Sequence, residues 1–181
     1  MHPYEISQKM RERHVDRLTR VTVGSLYRAV EKLTEDGVIE VVETSREGRR
    51  PERTTYRLTP HGHDVFRDHT RSLVSELATE YPQFAMGTAF LHTLPPAEGL
   101  AALRRRTVEL RAKLASEEVV FDQLTDLELA PLFWIEIDYR AALYRAELAW
   151  VEDLIGRIED GRISWPDKVL RRQAQLTEES E

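Results

Sequence analysis

Four arginines crowd into one ten-residue stretch, Arg46, Arg49, Arg50 and Arg53 within 44–53, with only Glu47 and Glu52 against them. A guanidinium presents several N–H donors in a planar fork, a geometry suited to phosphate oxygens. Gly48 and Pro51 mark the same stretch as a turn. Upstream, Thr22, Ser25, Ala29 and Lys32 fall on one face of a helix-spaced segment, with Tyr27 and Arg28 beside them. That face is small near its start and basic further along, as entry into a major groove about 12 Å wide requires. The chemistry indicated is recognition of a polyanionic duplex. Phosphate contacts would fix register and base-edge contacts would carry sequence information. A basic loop alone is as well explained by a solvated hairpin; the helix beside it turns the balance toward nucleic acid.

Other chemistries find less support. Cysteine is absent, which removes disulfides and thiol nucleophiles. The histidines are His2, His14, His61, His63, His69 and His92. His61 and His63 diverge around a helix axis, and no partner completes a zinc-like set. No Ser-His-Asp order, phosphate loop or paired-acid motif stands out, so no enzyme, cofactor or metal is expected. No apolar run approaches the roughly 20 residues that span a bilayer, and the N-terminus lacks a basic-then-apolar signal pattern. A cytoplasmic protein is the expectation.

The elements that must position the basic loop and the polar face lie in residues 22–62. Thr22 is an N-cap candidate. Leu26, Val30 and Leu33 recur at helical spacing and predict a buried stripe. Gly37 is the residue type that ends a helix in a left-handed conformation. An apolar strand, the basic loop and a second strand follow. In that second strand Tyr56 and Leu58 point one way, Thr55 and Arg57 the other. Thr59-Pro60 reads as a cap with proline at the first helical position. This order predicts a winged helix-turn-helix: mainly α with a small β-hairpin.

The same residues carry a resemblance. His2-Pro3-Tyr4-Glu5-Ile6, Gly24-Ser25-Leu26-Tyr27-Arg28-Ala29-Val30, Glu35-Asp36-Gly37-Val38-Ile39, Gly48-Arg49-Arg50-Pro51 and Tyr56-Arg57-Leu58-Thr59-Pro60-His61-Gly62 stand in an order that resembles the PadR family of bacterial transcriptional regulators. The resemblance is strong over about the first third of the chain. The remainder is similar in pattern to the longer helical C-terminal domain of the virulence-activator-like branch. The resemblance implies a DNA-binding regulator, most often a repressor released by a small molecule or another signal. It implies DNA contacts from Tyr4, Thr22, Ser25, Tyr27, Arg28 and Lys32, and from the wing residues Arg46, Arg49, Arg50 and Arg53. Domains of this family usually begin with an apolar helix upstream of the Tyr-Glu-Ile segment. Here Met1 directly precedes His2-Pro3, so an upstream start is expected, and without that helix Ile6, Leu26 and Val30 would be less covered.

Three segments are expected: a winged domain over 1–75, a helical dimerisation domain over 76–166 and a frayed tail over 167–181. Residues 1–60 hold 12 basic and 10 acidic side chains and the rest 14 and 22, so the basic surplus sits with the proposed DNA reader. A helix over 60–80 should turn Phe66, His69, Leu73 and Leu77 inward until Pro82 stops or bends it. Residues 84–94 read as a buried helix or packed connector. A long helix after Pro95-Pro96 carries Leu103, Leu110, Leu114 and Phe121. A last helix carries Ile135, Tyr139, Leu143, Ala146, Trp150, Leu154 and Ile158. Two such helices leave an apolar flank wet, so a homodimer is expected, joined through Leu103, Leu110, Leu114, Tyr139, Leu143, Trp150 and Leu154. A dimer would match an inverted-repeat DNA operator. Arg104, Arg105, Arg106, Arg111 and Lys113 read as a solvated face, and Arg140 and Arg145 as surface ion pairs. Trp134, Tyr139, Trp150 and Trp165 suit packing; the sharper alternative is an aromatic effector pocket between the two parts, with Arg140 or Arg145 pairing an anionic ligand. The competing function is a helical protein-interaction adaptor that keeps the winged scaffold without binding DNA.

Overall fold

Helix α2 (Val23–Glu35) begins and ends on local chemistry. Thr22 and Ser25 form a reciprocal capping box, each side chain accepting the other's backbone N–H, at 3.1 and 2.9 Å. At the far end Gly37 takes φ 66°, its N–H reaches Thr34 O at 3.1 Å, and Val38 N–H reaches Leu33 O at 2.9 Å. These paired bonds close the last turn and send the chain into a strand. The computed structural model describes residues 1–12, 15, 18–19, 21–45, 53–127, 130–166 and 169–170, and the chain divides into two compact units, 1–79 and 80–181. His14, Arg46, Arg49, Arg50 and all of the expected tail except residues 169–170 lie outside the described residues.

The first unit runs α1 (Pro3–Glu12), α2, β1 (Ile39–Ser45), β2 (Arg53–Leu58) and α3 (Pro60–Ser75). The strands pair antiparallel from Ile39↔Leu58 to Ser45↔Arg53, with a bulge between Val41 and Glu43. Met1 adds a short third partner: Tyr56 N–H donates to Met1 O at 3.0 Å and the N-terminal ammonium donates to Tyr56 O. Leu26, Val30 and Val38 form the buried centre, and Ile6 is half-buried. Leu33 departs from the expected stripe: it is exposed.

Helix α3 is capped as its sequence indicates. Thr59 Oγ1 accepts Gly62 N–H at 2.9 Å and donates to Gly37 O at 2.7 Å. Its later course differs from expectation. The helix stops at Ser75, Glu76 is extended, and Leu77 lies beyond it. Phe66 is 65% and Leu73 71% exposed, and His69 is exposed as well. Gly62, in the first turn, is the one buried residue of α3, so among the described residues of this unit nothing covers the predicted inner stripe.

The second unit holds α4 (Gln83–Ala89), a 3-10 turn at Leu91–Thr93, α5 (Pro96–Asp126), a 3-10 turn at Pro131–Phe133 and α6 (Ile135–Glu159). Helices α5 and α6 are antiparallel. Arg104–Glu159 (2.6 Å), Arg111–Glu152 (2.5 Å) and Glu118–Arg145 (3.8 Å) advance seven residues along one helix as they retreat seven along the other. A heptad step keeps one seam facing one partner. Leu103, Leu110, Val151 and Leu154 fill the seam, and Val120, Trp134 and Ile137 form a second cluster. Phe121 meets Trp134 edge-on at 4.7 Å between ring centroids. Trp165 closes the other end, donating Nε1–H to Leu94 O at 2.8 Å and packing where a Gly99 Cβ would stand.

Several sequence expectations for this unit are corrected. The segment 84–94 is a packed connector rather than a buried helix: a helix and a 3-10 turn with no fully buried residue, whose Phe84 and Leu91 pack half-buried against the core. The expected solvated face is kept by Arg104 and Arg111, 62% and 61% exposed, but both pair with α6, as does the less exposed Arg106, which also lies over the Phe84 ring, 3.7 Å from its centroid. Arg140 makes a buried ion pair instead of a surface one, 2.6 Å from Glu117, with side chains only 12% and 6% exposed. Leu103, Leu110 and Leu154, expected at a dimer face, are buried within the chain's own core, and Leu114 is half-buried. Helix α6 turns a different face inward, Ile137, Ala141, Tyr144, Leu148 and Val151, leaving Ile135, Tyr139, Leu143 and Trp150 exposed.

Two stability outcomes follow from these contacts. A Cβ on Gly62 would stand 2.0 Å from Val38 O, against backbone that cannot swing aside. Gly62→Ala should therefore destabilise the first unit by roughly 1–3 kcal/mol, the usual cost of overpacking; an unchanged chemical-denaturation midpoint would show that α3 relaxes away freely. Glu117→Ala strands a buried guanidinium and should cost about 3–5 kcal/mol. Glu118→Ala breaks only the exposed, longer pair to Arg145 and should cost less than about 1 kcal/mol. Equal losses in thermal unfolding of the two variants would contradict this ranking.

Candidate nucleic-acid interface

The groove-facing candidate is the outward side of α2. Leu26 and Val30 anchor the helix to the core. The opposite side exposes Gly24, Tyr27, Arg28, Glu31 and Glu35, positions three and four apart that share one face, and Val23 in the first turn is exposed although it lies on the side of Leu26 and Val30. Charge changes along it. Arg28 is the first charged group and makes no ion pair among the described residues. Beyond it Lys32 is held by Asp36 at 2.8 Å and lies 3.9 Å from Glu35. The amino-terminal half is therefore uncharged to basic, and the carboxyl-terminal half is acid-rich. A duplex would meet the first half and be repelled by the second, matching the end-on use of recognition helices, whose early residues meet base edges.

The expected contact residues separate by what already occupies them. Thr22 and Ser25 are engaged with each other; besides the capping box, Ser25 Oγ donates to Thr22 O at 2.9 Å. A hydroxyl so engaged retains acceptor capacity but has little freedom to seek a base. Tyr27 and Arg28 project outward, and Lys32 is neutralised locally. Tyr4, on α1, is exposed. The structure brings Arg53 to the root of the wing, where its guanidinium is bound by Glu5 from α1. Glu5 also accepts the His2 N–H at 2.9 Å. That N–H, with Arg53 beside it, holds the Glu5 carboxyl below the ordinary glutamate range. A lowered pKa means the clasp is complete at neutral pH and is lost only when acid takes the pH below that range. Across the hairpin Arg57 pairs with Glu40 at 2.7 Å.

Three participants escaped the sequence reading. Glu5 was seen only as part of a motif, and its partner stands 48 positions away. Arg57 was placed on a strand face without its Glu40 partner. Val23 sits three residues before Leu26, where an apolar stripe would continue, yet it is 68% exposed.

Two cavities open in the second unit. One of about 400 Å³ is lined by Phe84, Leu91, Leu94 and Leu103 with Arg105 and Arg106. Another of about 330 Å³ is lined by His92, Trp150, Leu154, Ile158 and Trp165. Among the described residues no cluster could hold a metal ion, and no helix is long and apolar enough to cross a membrane.

The profile of the Transcriptional regulator PadR-like family matches residues 1–68. No curated protein matches the sequence. Among solved structures, Bacillus subtilis PadR in complex with operator DNA superposes with a TM-score of 0.71 at 18% identity, covering 86% of this chain and 88% of that one. The same protein in complex with p-coumaric acid gives 0.71 at 17% identity, with 88% and 90% covered. A PadR-like regulator from Bacillus cereus gives 0.61 at 16% identity, with 87% of each chain covered. At such identities the likeness is one of fold.

The occupancy of these side chains ranks them. Arg28→Ala should weaken binding to a preferred duplex about tenfold or more, the scale of a lost arginine–base contact. Lys32→Ala should weaken it less, because Asp36 already holds that ammonium. Fluorescence-anisotropy titrations giving the reverse order would displace Arg28 from the interface.

Proposed function

We propose that the chain is a PadR-like transcriptional regulator, the family whose profile matches residues 1–68, and that it acts as a homodimeric repressor reading an inverted-repeat operator in the cytoplasm. It is a DNA-binding regulator rather than an enzyme. The observation that carries this reading is the capped α2 helix, anchored by Leu26 and Val30, with Tyr27 and Arg28 turned outward, Arg28 without an ion pair among the described residues, and acid confined to its far end. Arg49 and Arg50 contact the phosphate backbone, and the Glu5–Arg53 clasp holds the root of the wing that carries them.

The dimer is supported by the second apolar face of α6. Ile135, Tyr139, Leu143 and Trp150 recur at helical spacing and stand exposed, although the inner face of the same helix is already covered by α5. A stripe of this length left in water invites a partner. A two-fold dimer places two reading helices on half-sites roughly 34 Å apart. Release by a small effector is the accompanying reading. It draws on the two cavities of the second unit and on the complex that the Bacillus subtilis protein forms with p-coumaric acid.

The deciding experiment is a mobility shift with DNA from the chain's own upstream region, repeated across a salt series. A sequence-preferring complex is expected whose affinity falls steeply with salt, by about 0.9 in log–log slope per phosphate contact. Leu143→Asp should leave the fold intact, since Leu143 is exposed in the single chain, while converting the dimer to a monomer in light scattering and weakening operator binding. A stoichiometric protein partner with no DNA complex would favour the adaptor instead.

A further inference from the structure

Two neighbouring residues at the exposed start of α2 have little packing among the described residues. Val23 is more exposed than any other large apolar residue of the helix, at 68%, with its methyl groups in water. Beside it, Gly24 meets no neighbour: a Cβ built there finds no heavy atom within 4 Å, and its φ is not positive. Neither packing nor backbone conformation calls for glycine, and glycine weakens a helix relative to alanine. An exposed valine and an unneeded glycine, side by side, form an apolar knob next to a gap. Tyr27 lies one turn beyond Val23 and Arg28 one turn beyond Gly24.

We propose that Val23 and Gly24 select thymine in the major groove, Val23 packing on the thymine C5-methyl group and Gly24 giving the duplex room to approach. This rests on the DNA-reading function above. Thymine is the base that presents a methyl group in that groove, and an apolar side chain is its natural contact. Valine suits the task because branching at Cβ holds χ1 nearly fixed, so little side-chain entropy is lost when the knob is buried. Glycine is the usual residue where another molecule must approach a backbone closely. The two polar groups at the start of the helix, Thr22 and Ser25, are engaged with each other, which leaves the apolar contact as the sequence-reading element at this end. Tyr27 and Arg28 then contact the bases or phosphates that follow.

The test uses the full chain and a duplex site that it selects from a random-sequence pool. Each thymine of that site is replaced in turn by deoxyuridine, which removes the methyl group and nothing else. One thymine per half-site should respond, with affinity falling about fourfold, the factor a buried methyl group implies. Val23→Ala should bind the thymine and deoxyuridine sites equally. Val23→Thr, which keeps the branched shape and exchanges one methyl for a hydroxyl, should narrow the difference while preserving the melting temperature. Gly24→Ala should raise the melting temperature yet weaken binding, opposite signs that a purely structural glycine would not produce. A pool that yields no preferred sequence overturns the DNA-reading function itself. A preferred sequence indifferent to every thymine methyl, or a methyl preference that survives Val23→Ala, overturns this assignment alone. Gly24→Ala with unchanged binding removes the close approach.

Discussion

Four pieces of the first unit meet at one junction: the end of α2, the start of β1, the end of β2 and the start of α3. Thr59 makes that meeting possible. Its hydroxyl donates to Gly37 O and accepts from Gly62 N–H, and its backbone N–H donates to Val38 O at 3.1 Å. Gly62 has no side chain where the Val38 carbonyl passes. Because these bonds join elements, the angle between the reading helix and the hairpin is set by short, directional contacts rather than by a thick core. That matters in a unit whose large buried apolar side chains are few. Groove entry needs a helix held firmly by its surroundings, and here the junction supplies much of the hold.

The second unit solves a different problem. Two long helices must find one register among several that bury similar leucines. Position 117 continues the heptad of Leu103 and Leu110, yet it carries a glutamate, buried against Arg140. A polar group inside an apolar seam tolerates only the register that supplies its partner. The flanking pairs, Arg104–Glu159, Arg111–Glu152 and Glu118–Arg145, agree with that register but are more exposed, so each adds little. The outward stripe of α6 then becomes an independent surface, free to face a second copy while the inner face keeps the hairpin closed.

Charge is arranged by the same economy. Basic groups abound in both units, but among the described residues most are engaged within the chain: Arg53 by Glu5, Arg57 by Glu40, Lys32 by Asp36, and Arg104, Arg106 and Arg111 by α6. Arg28 is one of the few arginines, with Arg11 and Arg105, that no acidic group pairs with among the described residues, and it lies on the outward side of α2. Counting arginines therefore says less about a polyanion site than asking which of them lack an internal partner.

What the amino-acid sequence determined by itself is the set of elements and their ends. The capping box at Thr22 and Ser25, the left-handed Gly37, the Thr59-Pro60 helix start and the hairpin between them depend on residues a few positions apart. Their energies are local and survive in any context. The motif order that identifies the winged domain is legible for the same reason. Tertiary structure decided which faces are covered. Leu33, Phe66 and Leu73 carry the spacing of buried residues but stay exposed among the described residues of their own unit. Helix α6 has two apolar faces, and the choice of Val151 for the core over Leu143 comes from its antiparallel partner. The partners of Arg53 and Arg140 lie 48 and 23 positions away. Burial and pairing over such separations depend on where other elements lie, and periodicity along one segment carries no record of that.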